Sequence, residues 1–130
     1  MSLFLDTNIL VYAQQAGAKA DRANDLLSQG GFTSVQVLNE LANVLRKKFN
    51  RDWSDVEAAL DDIRDALEEP LPLTLVTHRA ALQIARDHGL SFYDAMIVAS
   101  ALEGGCSVLV SEDLQNGRAF GALTIKNPFL

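Results

Sequence analysis

Four carboxylates are placed where chemistry could happen. Asp6 is the only charged side chain among the first 18 residues, and it follows the apolar run Leu3-Phe4-Leu5. A carboxylate at the carboxyl end of a buried strand stands where open α/β sheets bind ligands; it would serve equally as the N-cap of a following helix. Asp94 is the only side chain charged at neutral pH between Gly89 and Leu102. At the head of so apolar a helix it must find a partner or a cation, because an isolated buried charge is costly. Its other reading is a capping-box-like pair with Ser91. Asp113, beside Glu112, follows the apolar run Ser107 to Val110 as either a site acid or a turn aspartate. Glu40 shares a helix face with Gln36, Asn43 and Lys47, which by periodicity is a solvent-facing position. Acids gathered at one sheet edge would repel one another and raise a pKa unless a cation joined them. Carboxylate oxygens without Cys or His suit Mg²⁺ or Mn²⁺, and such ions usually serve phosphoryl chemistry.

The elements that must carry these acids alternate. Ser2 to Leu5 reads as a strand, Ile9 to Gln15 and Lys19 to Ser28 as helices, and Phe32-Thr33 as a very short strand. Ser34 caps an expected helix from Val35 to Phe49, and a capping box at Ser54 to Glu57 opens another reaching Leu67. After Pro70 and Pro72, Leu73 to Val76 is a strand candidate, followed by helices at Thr77 to His88 and Ser91 to Glu103. Cys106 to Val110 has the pattern of a buried parallel strand, and Leu123 to Ile125 of a last edge strand. Residues 1–130 thus read as one α/β domain, a mostly parallel sheet with helices on both faces.

Composition narrows the classes further. The 130 residues are 48% hydrophobic, which supplies a core and argues against disorder. One cysteine and two histidines exclude a disulfide framework and a zinc finger. No secretory signal or membrane-length apolar run occurs, which places the expected protein in the cytoplasm. The net charge of −6 argues against a protein that coats nucleic acid, but residues 52–69 hold eight acids against Arg64 alone, leaving +1 elsewhere. The acidity therefore does not exclude an RNA substrate.

Asp6-Thr7-Asn8 after a first strand, Asn39-Glu40 in a helix, Phe92-Tyr93-Asp94-Ala95, and Ser111-Glu112-Asp113 together resemble the four motifs of the PIN domain, at the compact length of the VapC-like toxin ribonucleases. The resemblance implies a three-layer fold, a central mostly parallel sheet between helices, and a metal-dependent ribonuclease using Mg²⁺ or Mn²⁺. It makes Asp6, Glu40 and Asp94 the acidic core, with Asp113 a more variable fourth acid, and so reverses the solvent assignment of Glu40. Asn8 and Ser111 match supporting polar positions. Glu112 is an acid additional to the family pattern, which leaves open whether Glu112 or Asp113 faces the site. The resemblance also implies a homodimer and an antitoxin partner that occludes the site. The alternatives are a non-catalytic PIN-like module binding RNA or protein, and a nuclease of RNA processing or DNA flaps.

Basic residues supply candidate RNA contacts. Arg46, Lys47, Lys48 and Arg51 are four of the 11 basic residues within six positions. Arg46 and Lys47 would meet phosphates leaving the site, or simply complement a helix C-terminus. Arg118, in the polar loop after Asp113, is a further phosphate candidate.

Overall fold

The computed structural model describes residues 2–130. The tripeptide Leu3–Leu5 forms strand β1 and pairs in parallel with β2, Val108–Val110, so that Leu5 lies opposite Val110. β3 (Ala119–Phe120) and β4 (Leu123–Lys126) form an antiparallel hairpin, and β4 pairs in parallel with β2. The resulting order is β1-β2-β4-β3. Phe4, Leu5, Leu109, Val110, Leu123 and Ile125 are all buried, as strands covered on both faces require.

Six helices flank this mixed sheet: α1 (Thr7–Ala13), α2 (Ala18–Ser28), α3 (Val35–Lys47), α4 (Trp53–Ala66), α5 (Leu75–His88) and α6 (Phe92–Glu103). In α3 the Ser34 hydroxyl accepts from the Val37 N–H, and the periodic Val37, Leu41 and Leu45 are fully buried. α6 buries every residue from Ala95 to Ala101, so the carboxylate of Asp94 stands at the mouth of a helix with almost no polar surface. Among the described residues, no helix is long and apolar enough to cross a membrane.

The α/β class is as expected; several boundaries are not. Leu123 to Ile125 is internal, because Ala119–Phe120 folds back on it through a two-residue turn in which Gly121 takes a positive φ of 61°. The expected strand at Leu73 to Val76 does not form. Thr74 and Thr77 cap each other reciprocally and start α5 at Leu75, leaving Leu75 and Val76 exposed. The extended pairing falls earlier, as a parallel bridge between Leu71 and Ser34. Phe32 likewise makes only a single bridge to Phe4. Gly31 permits that approach: a Cβ there would lie 2.8 Å from the Leu3 carbonyl oxygen. Asp52, rather than Ser54, caps α4 by accepting from the Asp55 N–H.

Candidate functional site

Parallel register sets the first part of the site. Since Leu5 lies opposite Val110, the next residues, Asp6 and Ser111, emerge at the same carboxyl edge of the sheet. The Ser111 hydroxyl donates to Asp6 Oδ2 at 2.8 Å, while Asp6 Oδ1 accepts from the Thr7 N–H at 2.7 Å. One Asp6 oxygen thus caps α1, as the capping reading has it, while the other is held by Ser111. The Asn8 amide nitrogen lies 3.3 Å from Asp6 Oδ2, 3.2 Å from Ser111 Oγ and 3.2 Å from Asp113 Oδ2. It therefore ties the acid after β1 to the acid after β2.

Glu40 and Asp94 come from helices. Glu40 is half-buried and accepts a 2.5 Å hydrogen bond from the Thr7 hydroxyl. Of the polar face of α3, Glu40 and Asn43 border the cleft, while Gln36 and Lys47 do not. Thr7 was not singled out from sequence, although the Asp-Thr-Asn motif contains it. At the start of α6 the Asp94 N–H donates to Ser91 Oγ at 3.3 Å, as in the capping reading, while the side chain lines the cleft. Asp6, Glu40, Asp94 and Asp113 all border one cavity of about 640 Å³, whose other walls include Tyr12, Asn43, Lys48 and Phe49.

The adjacent acids both line the cleft but differ in their partners. Asp113 is exposed and shares the Asn8 amide with Asp6. Glu112 also borders the cleft, but its carboxylate is ion-paired with Lys19 and accepts from the Tyr12 hydroxyl at 2.6 Å. Those two donors hold the Glu112 carboxyl below its usual pKa. Asp6 moves the other way. Burial is the main cause, with Glu40 and Asp113 adding repulsion, and together they raise it from 3.8 to about 6 against the stabilising bonds from Ser111 and Thr7.

The basic residues divide. Arg46 stacks over Trp53 at 5.1 Å and donates to the Arg51 carbonyl; Arg118 donates to the His88 carbonyl at 2.7 Å and lies over Phe120. Lys47 is exposed on α3 away from the cleft lining. Lys48, their neighbour, lines the cavity instead.

The donor set fits a hard divalent cation. It is all carboxylate oxygen, and among the described residues no basic side chain is ion-paired with Asp6, Glu40, Asp94 or Asp113. No three acidic, histidine or cysteine side chains among those residues form a ready-made cage. Mg²⁺ does not require one, since it typically keeps several waters and takes one or two carboxylates.

Fold and cleft together define an α/β protein with an acidic site at the carboxyl edge of a parallel sheet. The PIN domain family model matches residues 3–119, and the chain belongs to that family. Among solved structures it is similar to VapC20 of Mycobacterium tuberculosis, described as a sarcin–ricin loop cleaving toxin, at 23% identity and a TM-score of 0.68, covering 83% of this chain and 87% of that one. It is similar to a toxin–antitoxin complex from Klebsiella pneumoniae (18% identity, TM-score 0.71) and to VapBC2 of Rickettsia felis bound to a promoter DNA fragment (20% identity, TM-score 0.70), each covering 98% of both chains. At these identities the likeness establishes the fold. No curated protein sequence matches the chain.

Proposed function

We propose that this chain is a divalent-metal-dependent endoribonuclease, the toxin of a type II toxin–antitoxin pair. The observation that carries this is the convergence of Asp6, Glu40, Asp94 and Asp113 on one cleft without an ion-paired base among the described residues. Membership of the PIN family supports it, as does the likeness to a toxin that cleaves the sarcin–ricin loop.

Asp6, with Glu40, Asp94 and Asp113 around it, would hold Mg²⁺ or Mn²⁺. When bound, the cation supplies an activated water and neutralises charge on the phosphodiester. Ser111 and Asn8 orient Asp6 Oδ2, and Asn8 also steadies Asp113. Thr7 fixes one oxygen of Glu40. Val44 and Phe49 give the cleft an apolar wall, and Lys48 offers an ammonium to a phosphate of the RNA strand. His78 and His88 lie outside the cleft lining, so the cleft offers no histidine for acid–base cleavage.

The likeness to two toxin–antitoxin complexes supports a cognate antitoxin, and an acidic cleft would receive one of its basic side chains favourably. The protein acts in this proposal as a cytoplasmic homodimer. Purified protein should cleave single-stranded RNA, and not DNA flaps, with Mg²⁺ or Mn²⁺, leaving 5′-phosphate and 3′-hydroxyl ends. Cleavage that persists both in EDTA and in Asp6→Asn would overturn the proposal.

A further inference from the structure

Asn8 can do its work in only one orientation. Its amide nitrogen faces Asp6 Oδ2, Ser111 Oγ and Asp113 Oδ2. A flipped amide would turn Oδ1 toward two carboxylates and repel both. The Oδ1 atom is instead held by the Glu112 backbone N–H at 3.0 Å. That peptide is held in turn through the Glu112 side chain. Tyr12 of α1 donates its hydroxyl to Oε2, and Lys19 of α2 pairs with Oε1. The Lys19 ammonium lies 4.9 Å from the Tyr12 ring centre and 5.1 Å from that of Phe129, and the two rings meet edge to face at 5.2 Å. Two helices therefore converge on one carboxylate in the loop after β2, beside the acidic cleft, and the C-terminal Phe129 packs against the two side chains that hold it.

We infer that Glu112 is a positioning residue: clamped by Lys19 and Tyr12, which Phe129 packs against, it presents the N–H that orients Asn8, and through Asn8 it aligns Asp6 and Asp113 for a divalent cation. The inference rests on the metal-binding proposal above. It gives the extra acid of the Ser-Glu-Asp sequence a task separate from that of Asp113. It also explains the company Glu112 keeps, since a pair whose side chains are 48% and 27% exposed adds little to stability by itself.

Mn²⁺ titration tests it, with free Mn²⁺ followed by its paramagnetic resonance signal and melting temperatures taken in parallel. Charge alone predicts that Lys19→Met tightens Mn²⁺ binding, because a positive neighbour of the acids is lost. Positioning predicts the opposite sign, a weakening of about threefold to tenfold, somewhat less than is usual for a residue directly supporting a metal ligand. Glu112→Gln keeps an oxygen for Lys19 and an amide for the Tyr12 hydroxyl, so it should bind within about twofold of wild type, whereas Glu112→Ala should weaken binding like Lys19→Met. Lys19→Met binding as tightly as wild type or tighter overturns the inference, as does Glu112→Gln falling to the level of Glu112→Ala. A wild-type protein that binds no Mn²⁺ overturns the metal proposal itself, and this inference with it.

Discussion

On the sheet side of the cleft, Asp6 accepts from Thr7, Ser111 and Asn8, and Asn8 reaches on to Asp113. On the helix side, Glu40 accepts from Thr7 alone, and the Asp94 carboxylate has no hydrogen-bond donor among the described residues. Strand register fixes the first group before any ligand arrives; the second depends on where α3 and α6 pack. The sheet side is therefore preorganised at the expense of desolvating Asp6, and the helix-side carboxylates carry fewer hydrogen bonds that a proposed cation would have to displace. Preorganised donors and acceptors are the usual source of steep catalytic losses on mutation.

The largest expected effect follows from Asp6. Asp6→Asn should lower RNA cleavage by at least about a hundredfold, more than loss of a supporting residue costs, as measured by single-turnover cleavage. It should also stabilise the metal-free fold at neutral pH. Because Asp6 is raised from 3.8 to about 6, the folded protein holds that proton more tightly than the unfolded chain does. Its contribution is complete below the unfolded pKa and disappears as pH rises through about 6. In EDTA at pH 7.5, Asp6→Asn should thus gain on the order of 1–2 kcal/mol over wild type, discounted from the full shift because the new amide meets the Asn8 amide. Denaturant melts should show that gain shrinking as pH falls toward 5. A constant difference would place the origin of the gain elsewhere.

Next come the supports on each side. Ser111→Ala should cost about 10- to 100-fold in Mn²⁺ affinity or activity. Thr7→Val, which removes the one donor to Glu40, should cost only about fivefold. Equal losses would erase the distinction between the two halves. An effect of similar size belongs to Lys48 on the cleft wall. Lys48→Met should weaken RNA binding about fivefold at low salt and flatten the log–log salt slope by about 0.7, the loss of one single-strand phosphate contact. Lys47→Met, on the outer face of α3, should leave both unchanged.

The sheet side was also the more legible in sequence. Two aspartates, Asp6 and Asp113, follow apolar strands and fall at the same edge once the strands are parallel, and local patterning suggests as much; Ser111 entered only through the family resemblance. Glu40 was not legible from periodicity, because a polar helix face looks the same whether it borders solvent or a water-filled cleft. The consecutive Arg46, Lys47 and Lys48 are separated by about 100° around α3, so only one of them, Lys48, reaches the cleft lining, which a run of three basic residues does not reveal. Glu112 and Asp113 differ through partners distant in sequence: Lys19, 93 residues from Glu112, and Tyr12 hold the one, and Asn8 holds the other. The strand placed at Leu73 to Val76 failed for a local reason: the Thr74–Thr77 capping pair outweighed four residues of apolar and β-branched character.

The most direct measurement is cleavage of a labelled single-stranded RNA by the purified wild-type protein, first in EDTA and then with Mn²⁺ restored in excess. A metal site built on Asp6 should give no cleavage in chelator, full recovery with the metal, and no recovery in Asp6→Asn. Equal cleavage in chelator and in metal, with Asp6→Asn as active as wild type, would contradict it.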